Sequence, residues 1–287
     1  MAFRDDCGRI RAALFACCSA VLAGCAGLPA PDAPRLVIDT TFTSVSQDSR
    51  AQHLILHFTA EDFPRSLKIL TQGPVSSHYL VSDSQGDTPP KIYRLVDESR
   101  RAYHAGVSWW KGAALLNASS IGIEIVNRGP RKQADGSVVF DDFDPAQIDL
   151  VIALCRQIMK DHAIRPDRVL GHSDIAPGRK NDPGPKFPWK KFADAGLIPW
   201  PDEGMTRERL VAYQQALPDV LWFQQKLMAH GFNVPPTGAH DRVTRDALTS
   251  FQLKYRPANF EGHPDAETAA LLDVVNRADG FRVRQRW

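Results

Sequence analysis

Five ionisable side chains lie close together in the segment GHSDIAPGRKNDPG, residues 171–184: His172, Asp174, Arg179, Lys180 and Asp182. Two prolines and three glycines in the same segment interrupt helices and central strands alike, so a loop is predicted. These prolines and glycines allow the loop to fold back on itself, which brings an imidazole and a carboxylate together. We therefore predict that His172 and Asp182 bind a metal ion.

A third ligand is expected from the apolar segment HLILHFTA, residues 53–60, which is predicted to be a β-strand. His53 and His57 share one face of such a strand but lie about 13 Å apart, at roughly 3.3 Å per residue. Only one of the two can therefore reach the metal. Two imidazoles and one carboxylate leave a fourth tetrahedral position for water, which is typical of a catalytic zinc site.

Glu124 is the charged residue of the otherwise apolar segment IGIEIVN, residues 121–127. Apolar residues on both faces predict a central strand. Burying a carboxylate there costs free energy unless a charged partner or a function explains it. Strand alternation puts Glu124 on the same face as Gly122, which is expected to leave space beside the carboxylate. We favour a general base over the alternative, a structural carboxylate paired with a buried arginine.

The elements that must position these residues alternate between strands and helices over residues 36–200, which predicts an α/β domain. We expect a central mixed β-sheet flanked by helices. A helix is predicted over residues 144–164, with Asp144 as N-cap and Pro145 at its first position. Cys155 in this helix is expected to be a small core residue. Further strands are expected in three short segments: SSHYLVS, IYRLVD and RVLGHSD.

A small C-terminal domain of three helices is predicted at residues 215–276, after a linker at residues 201–214. The last residues, 277–287, are basic and are expected to form a loose tail. The three helical patterns occupy residues 219–230, 241–255 and 265–275.

The N-terminus has the features of a secretory signal, predicted at residues 1–24. Three arginines precede the apolar run AALFACCSAVLAGC, which is too short to cross a bilayer. The run ends in LAGC, which resembles a bacterial lipobox. Cys25 is therefore predicted to carry lipid after cleavage, and residues 25–35 to form a proline-rich tether. The alternative is an exported soluble protein with a chance cysteine.

Composition excludes some classes of protein. A net charge of +2 gives no case for a nucleic-acid partner. No continuous apolar run reaches the roughly 18–20 residues of a transmembrane helix. After cleavage only Cys25 and Cys155 remain, so a lipidated Cys25 leaves no partner for an intrachain disulfide.

Four stretches of the sequence resemble the zinc-dependent N-acetylmuramoyl-L-alanine amidases of the amidase type 2 family, and within it the lipoprotein branch of Gram-negative bacteria. They are LILHFTA, VSSHYLV, YHAGVSWWKGAALLNASSIGIEIVNRG and GHSDIAPGRKNDPGPKFPW. The resemblance implies hydrolysis of the amide bond between N-acetylmuramic acid and L-alanine in peptidoglycan or its fragments. Whether the muramic acid is intact, in its anhydro form, or either is left open.

The resemblance assigns one zinc ion to His57, His172 and Asp182, and the catalytic glutamate and lysine to Glu124 and Lys180. Zinc would lower the pKa of its bound water and polarise the amide carbonyl. Glu124 would carry a proton from water to the leaving amine. Lys180 would stabilise the oxyanion.

Other residues in these stretches have two interpretations each. His78, His104 and Trp109 are predicted to line the substrate groove, or else to pack as structural residues. Asp174 is expected to cap a turn rather than orient a ligand. Arg179 is expected to be a solvated charge.

The second domain resembles the three-helix peptidoglycan-binding domain and is expected to assist binding to the polymeric wall. A chain that ends near residue 205 is therefore expected to cleave small muramyl peptides. Ala26, which follows Cys25, is not aspartate, and this fits sorting to the outer membrane with the protein facing the periplasm. The alternatives are a non-catalytic peptidoglycan-recognition protein and a cytoplasmic recycling amidase. The residues that carry the second resemblance are Gln224, Leu227, Gly231, Thr244, Ala247, Thr268 and Leu271.

Overall fold

The computed structural model of the protein describes residues 35–277. The predicted signal, the lipidation site Cys25 and residues 278–287 of the basic tail lie outside the described residues. In the range described, no helix is both long enough and apolar enough to cross a bilayer.

The main compact unit begins at Gln47, and residues 35–46 belong to a separate unit. These twelve residues have no helix or strand, and the apolar side chains of Leu36 and Phe42 are 82% and 92% exposed. The predicted start of the catalytic domain at residue 36 stays a prediction.

A five-stranded sheet organises the main unit, in the order β3-β2-β6-β1-β9. The pairs β2–β6, β6–β1 and β1–β9 are parallel, while β2–β3 is antiparallel. The prediction of a mixed sheet is therefore confirmed, and β6, which carries Glu124, is its middle strand. The strands of this sheet are β1 (His53–Phe58), β2 (Tyr79–Val81), β3 (Ile92–Arg94), β6 (Ser120–Ile125) and β9 (Val169–Gly171). Two small hairpins complete the strands: β4 (Trp109–Trp110) with β5 (Ala113–Ala114), and β7 (Pro130–Lys132) with β8 (Val138–Phe140).

Helix α2 covers one face of this sheet. Its N-cap is Asp144, whose carboxylate accepts a hydrogen bond from Ala146 N at 2.9 Å, and Pro145 opens the helix. Both assignments match the prediction. Cys155 is fully buried, as expected of a core residue. The helices before residue 200 are α1 (Phe63–Gln72), α2 (Pro145–His162), α3 (His172–Ile175) and α4 (Trp189–Asp194).

The segment predicted as a loop, residues 171–184, begins with the single helical turn α3. Asp174 makes this turn possible, because its carboxylate accepts a hydrogen bond from the backbone N–H of Gly171 at 2.8 Å. The Asp174 side chain therefore satisfies a backbone N–H group at the start of this short helix.

Residues 215–276 contain the three predicted helices, α6, α7 and α8, and a fourth helix, α5, precedes them. Residues 201–214, predicted as a linker, hold most of helix α5, which is capped by Asp202 and packs along α8. No proline interrupts the chain between Pro201 and Pro218, so a helix can form there. These helices are α5 (Glu203–Gln215), α6 (Val220–His230), α7 (Arg242–Tyr255) and α8 (Ala266–Val275).

These helices share a hydrophobic core with the second face of the sheet. Trp110 and Leu170, from the sheet region, belong to the same buried cluster as Phe223 and Phe251 from the helices. Ile55, whose side chain lies on the same face of β1 as His57, also belongs to it. The helical region therefore covers the face of the sheet that carries the predicted site.

Candidate active site

Three potential ligand atoms converge at the end of β1. His57 Nδ1 lies 2.9 Å from both His172 Nδ1 and Asp182 Oδ2, and His172 Nδ1 lies 3.1 Å from the same oxygen. All three residues are buried, and among the described residues theirs is the cluster suited to holding a metal ion. Two imidazoles and a carboxylate are a donor set that zinc accepts, with a position left open.

Parallel strand pairing brings these residues together. His57 pairs in register with Glu124 of β6 on one side, and Leu56 pairs with Gly171 of β9 on the other. His172 follows Gly171 directly, so the three strands end side by side. In open α/β sheets the carboxyl ends of parallel strands are the usual place for a ligand.

The outward nitrogen of His172 fixes the direction of its ring. His172 Nε2 lies 3.1 Å from the carbonyl oxygen of Ala105, which can only accept a hydrogen bond. Nε2 therefore carries the proton, and the lone pair of Nδ1 points toward Asp182 and His57. The described residues thus suit a metal ion in two ways, by the chemical type of their donor atoms and by the orientation of the His172 ring.

Burial sets the charge states around the cluster. Burial and the neighbouring His172 lower the pKa of His57 to about 4, so its imidazole is neutral at physiological pH. Burial also holds the pKa of His104 well below its usual value. Burial opposes ionisation of Asp182, but the two imidazoles in contact with its carboxylate outweigh burial and keep the pKa of this carboxyl below its ordinary range. A neutral His57 imidazole and an ionised Asp182 carboxylate are protonation states that metal binding requires.

Glu124 is a carboxylate without a structural partner. Its Oε2 atom is buried and accepts no hydrogen bond, and no arginine of residues 35–277 forms an ion pair with it. Burial and the nearby charge of Asp182 raise its pKa well above the ordinary value, while Lys180 opposes this shift. The alternative interpretation, a carboxylate paired with a buried arginine, therefore does not apply.

A cavity of about 560 Å³ opens over the cluster. The cavity is lined by His57, Glu124 and Lys180 and also by residues of helix α7. This volume lies within the range of small-molecule binding sites. The α7 residues that line it are Asp246, Thr249, Ser250 and Leu253.

Comparison with known proteins identifies the family. The sequence profile described as N-acetylmuramoyl-L-alanine amidase matches residues 47–185, and that of a putative peptidoglycan binding domain matches residues 216–272. Over 259 residues the chain is 39% identical to the N-acetylmuramoyl-L-alanine amidase AmiD of Escherichia coli (strain K12). The aligned region covers 89% of this chain and 93% of AmiD. The chain belongs to the N-acetylmuramoyl-L-alanine amidase family.

Two solved structures resemble this amidase over most of its length. AmpDh3 from Pseudomonas aeruginosa, in complex with an anhydromuramic pentapeptide, is 38% identical with a TM-score of 0.77, covering 84% of this chain and 98% of AmpDh3. AmiD from E. coli, in complex with anhydro-N-acetylmuramic acid-L-Ala-D-γ-Glu-L-Lys, is 38% identical with a TM-score of 0.74, covering 83% and 93%. The predicted fold class is therefore confirmed.

Two residues predicted to line the substrate groove of the amidase lie elsewhere. His78 is fully buried, accepts a hydrogen bond from Gly122 N and does not line the cavity. Trp109 lines a different cavity, of about 430 Å³, on the hairpin β4–β5. A contact of either residue with substrate stays a prediction, because side-chain direction at these positions depends on packing that the motif does not encode. His104 does reach the cavity, and its ring fills the space that was expected to be empty beside Gly122.

Two charged residues of the 171–184 segment of the amidase make contacts outside this segment. Asp174 caps the α3 turn, as expected, and is in addition paired with Lys254 of α7 at 2.8 Å. Arg179 is exposed, as expected of a solvated charge, and its guanidinium also donates hydrogen bonds to the carbonyl oxygens of Ala105 and Val107, both at 2.7 Å. Arg179 therefore ties the ligand-bearing loop to a neighbouring segment.

Lys254 is the main buried charged residue that the sequence predictions do not include. Its side chain is 5% exposed, and its ammonium also donates to Val169 O. A signal was present, because Lys254 follows Ala247 and Phe251 on the apolar face of a predicted helix. A lysine on such a face predicts a buried partner.

Proposed function

We propose that this amidase hydrolyses the bond between N-acetylmuramic acid and L-alanine with one zinc ion held by His57, His172 and Asp182. The observation that carries the proposal is the convergence of three buried ligand atoms, mutually 2.9–3.1 Å apart, beside the unpaired carboxylate of Glu124. When bound, zinc lowers the pKa of a water ligand and polarises a carbonyl oxygen.

Glu124 supplies the proton transfers in this proposal. Its carboxylate takes a proton from the attacking water and later delivers that proton to the nitrogen of the leaving L-alanine. The raised pKa of Glu124 favours the protonated form between these two transfers. Because its Oε2 is not engaged by another residue, the carboxylate is available to the water.

Lys180 has an electrostatic role in the proposal. It lines the same cavity as Glu124 and lies two residues before Asp182 in the chain. Its ammonium stabilises negative charge on the carbonyl oxygen as the tetrahedral species forms. Helix α7, which also lines the cavity, limits the shape of the substrate in this proposal.

We infer that the substrates are muramyl peptides, and that the anhydro form is among them. The solved complexes of AmpDh3 and AmiD contain anhydromuramic peptides, and those proteins match this chain over more than four fifths of its length. The cavity of about 560 Å³ suits such a ligand. The C-terminal helices are proposed to assist binding to polymeric peptidoglycan, in line with the matched profile.

Product analysis tests the proposed reaction. Sacculi and anhydromuramyl peptides are digested with the purified amidase, and the products are identified by mass spectrometry. We expect peptides that begin with L-alanine and free muramic or anhydromuramic termini. Removal of metal by a chelator is expected to stop cleavage, and added zinc to restore it. Cleavage within the glycan or the peptide, or full activity of the metal-free protein, would contradict the proposal.

We also propose that Cys25 carries lipid and anchors the amidase to the periplasmic face of the outer membrane. The support is the sequence LAGC, followed by Ala26 rather than aspartate. Cys25→Ala is expected to release the protein from membranes and to leave the activity of the purified enzyme unchanged, because the cysteine lies far in sequence from the cavity residues. Membrane fractionation and mass spectrometry of the N-terminal peptide provide the measurement. A wild-type protein found only in the soluble fraction would contradict the anchor.

A further inference from the structure

A line of hydrogen bonds runs from the His57 imidazole away from the cavity into the protein. His57 Nε2 lies 3.0 Å from His104 Nδ1, and His104 Nε2 lies 3.1 Å from Ser120 Oγ. Ser120 Oγ in turn lies 2.6 Å from the carbonyl oxygen of Leu116. Ser120 and Leu116 are fully buried, so water does not compete for these contacts.

The direction of every hydrogen bond in this line follows from its last member. A carbonyl oxygen cannot donate, so the single hydroxyl hydrogen of Ser120 points to Leu116 O. Ser120 Oγ therefore accepts a hydrogen bond from His104 Nε2–H. A neutral imidazole has one N–H group, so His104 Nδ1 accepts from His57 Nε2–H. The lone pair of His57 Nδ1 is left facing Asp182.

Ala105, the residue after His104, fixes the orientation of the second imidazole ligand, His172. Ala105 O accepts a hydrogen bond from His172 Nε2, which leaves the Nδ1 lone pair of that ring facing the cluster. The two neighbouring residues therefore orient both rings, one through a side chain and the other through a carbonyl group. Neither contact uses the ring nitrogens that converge with Asp182.

The His104–Ala105 dipeptide is itself held in place. Asn117 Oδ1 accepts hydrogen bonds from both of its backbone nitrogens, at 3.0 and 2.7 Å. Gly122 lets the His104 ring lie against β6, because a Cβ atom at that position would approach the ring to 2.5 Å. The orientation of the dipeptide is thus set by groups that do not touch the cavity cluster.

We propose that the His104–Ala105 dipeptide, held by Ser120 and Asn117, fixes the tautomer and orientation of both imidazole ligands and thereby sets the affinity of the amidase for zinc. The proposal rests on the zinc site of the proposed function. His104 and Ser120 are positioning residues, since they act through His57. Loss of such outer partners typically weakens metal binding by about 10–100-fold.

A matched pair of variants tests the role of His104. Leucine and asparagine have nearly the same shape, but only asparagine can accept the hydrogen bond from His57 Nε2–H. We expect His104→Leu to weaken zinc binding by about 10–100-fold, and His104→Asn to recover most of this loss. Zinc dissociation constants are measured by competition with a chromophoric chelator, and the melting temperature of each zinc-free protein reports on folding.

Ser120→Ala provides a smaller change for the case in which the leucine variant does not fold. Loss of the hydroxyl removes the acceptor that selects the His104 tautomer, so zinc binding is expected to weaken by a smaller factor, up to about 10-fold. His53→Asn is the control on the same strand, because His53 contacts Ser119 O and not the cluster. Zinc affinity should not change in this control.

The outcomes separate the two proposals. Equal zinc affinity in His104→Leu and His104→Asn, or wild-type affinity in Ser120→Ala, would overturn the positioning role. A wild-type protein that binds no zinc would instead overturn the metal assigned in the proposed function. The expected result is that zinc affinity is highest in the wild type, lower in His104→Asn and lowest in His104→Leu. The melting temperatures of the three zinc-free proteins should be similar.

Discussion

Glu124→Gln is expected to lower kcat by about 10²–10⁴-fold while zinc stays bound. Glutamine keeps the shape of the side chain but cannot take a proton from water. The three proposed ligands are untouched, and substrate affinity should change little because the lost interaction belongs to the transition state. Kinetics and zinc content are measured on one preparation, with Glu208→Gln on the exposed face of α5 as the matched control.

The stability of the Gln variant gives a second, independent readout. The pKa of Glu124 is raised in the folded protein, so the native state binds more protons than the unfolded state above the ordinary pKa of a glutamate. The free energy of unfolding of the zinc-free protein therefore falls as pH rises from the ordinary pKa of a glutamate to the raised pKa of Glu124. Glu124→Gln should remove this pH-dependent loss of stability. A stable, zinc-loaded variant with near-normal kcat would exclude Glu124 from proton transfer.

Removal of the C-terminal helices is expected to unfold the amidase. A chain that ends near residue 205 would expose Trp110, Leu170 and Ile175, each at most 2% exposed in the intact protein. Burial of each such side chain contributes about 1.5–3 kcal/mol, while the whole stability of a domain is typically about 5–15 kcal/mol. Circular dichroism and thermal denaturation should show no cooperative transition, and cleavage of small muramyl peptides should be lost.

This expectation reverses the one drawn from the sequence, which treated the helical region as an independent aid to wall binding. The reason is the shared hydrophobic cluster, together with the wall that α7 contributes to the cavity. A truncated chain that melts cooperatively and cleaves muramyl peptides at the normal rate would instead show that the catalytic domain folds and acts without the C-terminal helices.

A single ion pair offers a sharper version of the same test. Lys254→Met leaves the Asp174 carboxylate buried without its partner, and about 3–5 kcal/mol of stability should be lost. The double variant Asp174→Asn/Lys254→Met should regain most of this, because an asparagine oxygen still accepts the hydrogen bond from Gly171 N. Equal destabilisation of the single and double variants in denaturant unfolding would show that the charge pair does not join the two regions.

Local chemistry made much of this amidase predictable from its sequence. Asp144 and Pro145 mark the start of α2 because capping depends on residues that are adjacent in the chain. The apolar pattern around Glu124 identifies the middle strand because a strand buried on both faces must be apolar on both faces. The strand spacing of His53 and His57 excludes binding of one metal ion by both residues. Of these two histidines, only His57 belongs to the cluster found among the described residues.

The tertiary structure alone decided the surroundings of these residues. His78 and His104 both lie in stretches that resemble the family, yet one is bonded to Gly122 N and the other to His57, because each ring direction depends on the segments packed against it. The α7 wall and the partner of Asp174 come from residues about 70–80 positions further along the chain. Contacts over such separations form only when the whole core has assembled, so no local pattern of residue types specifies them.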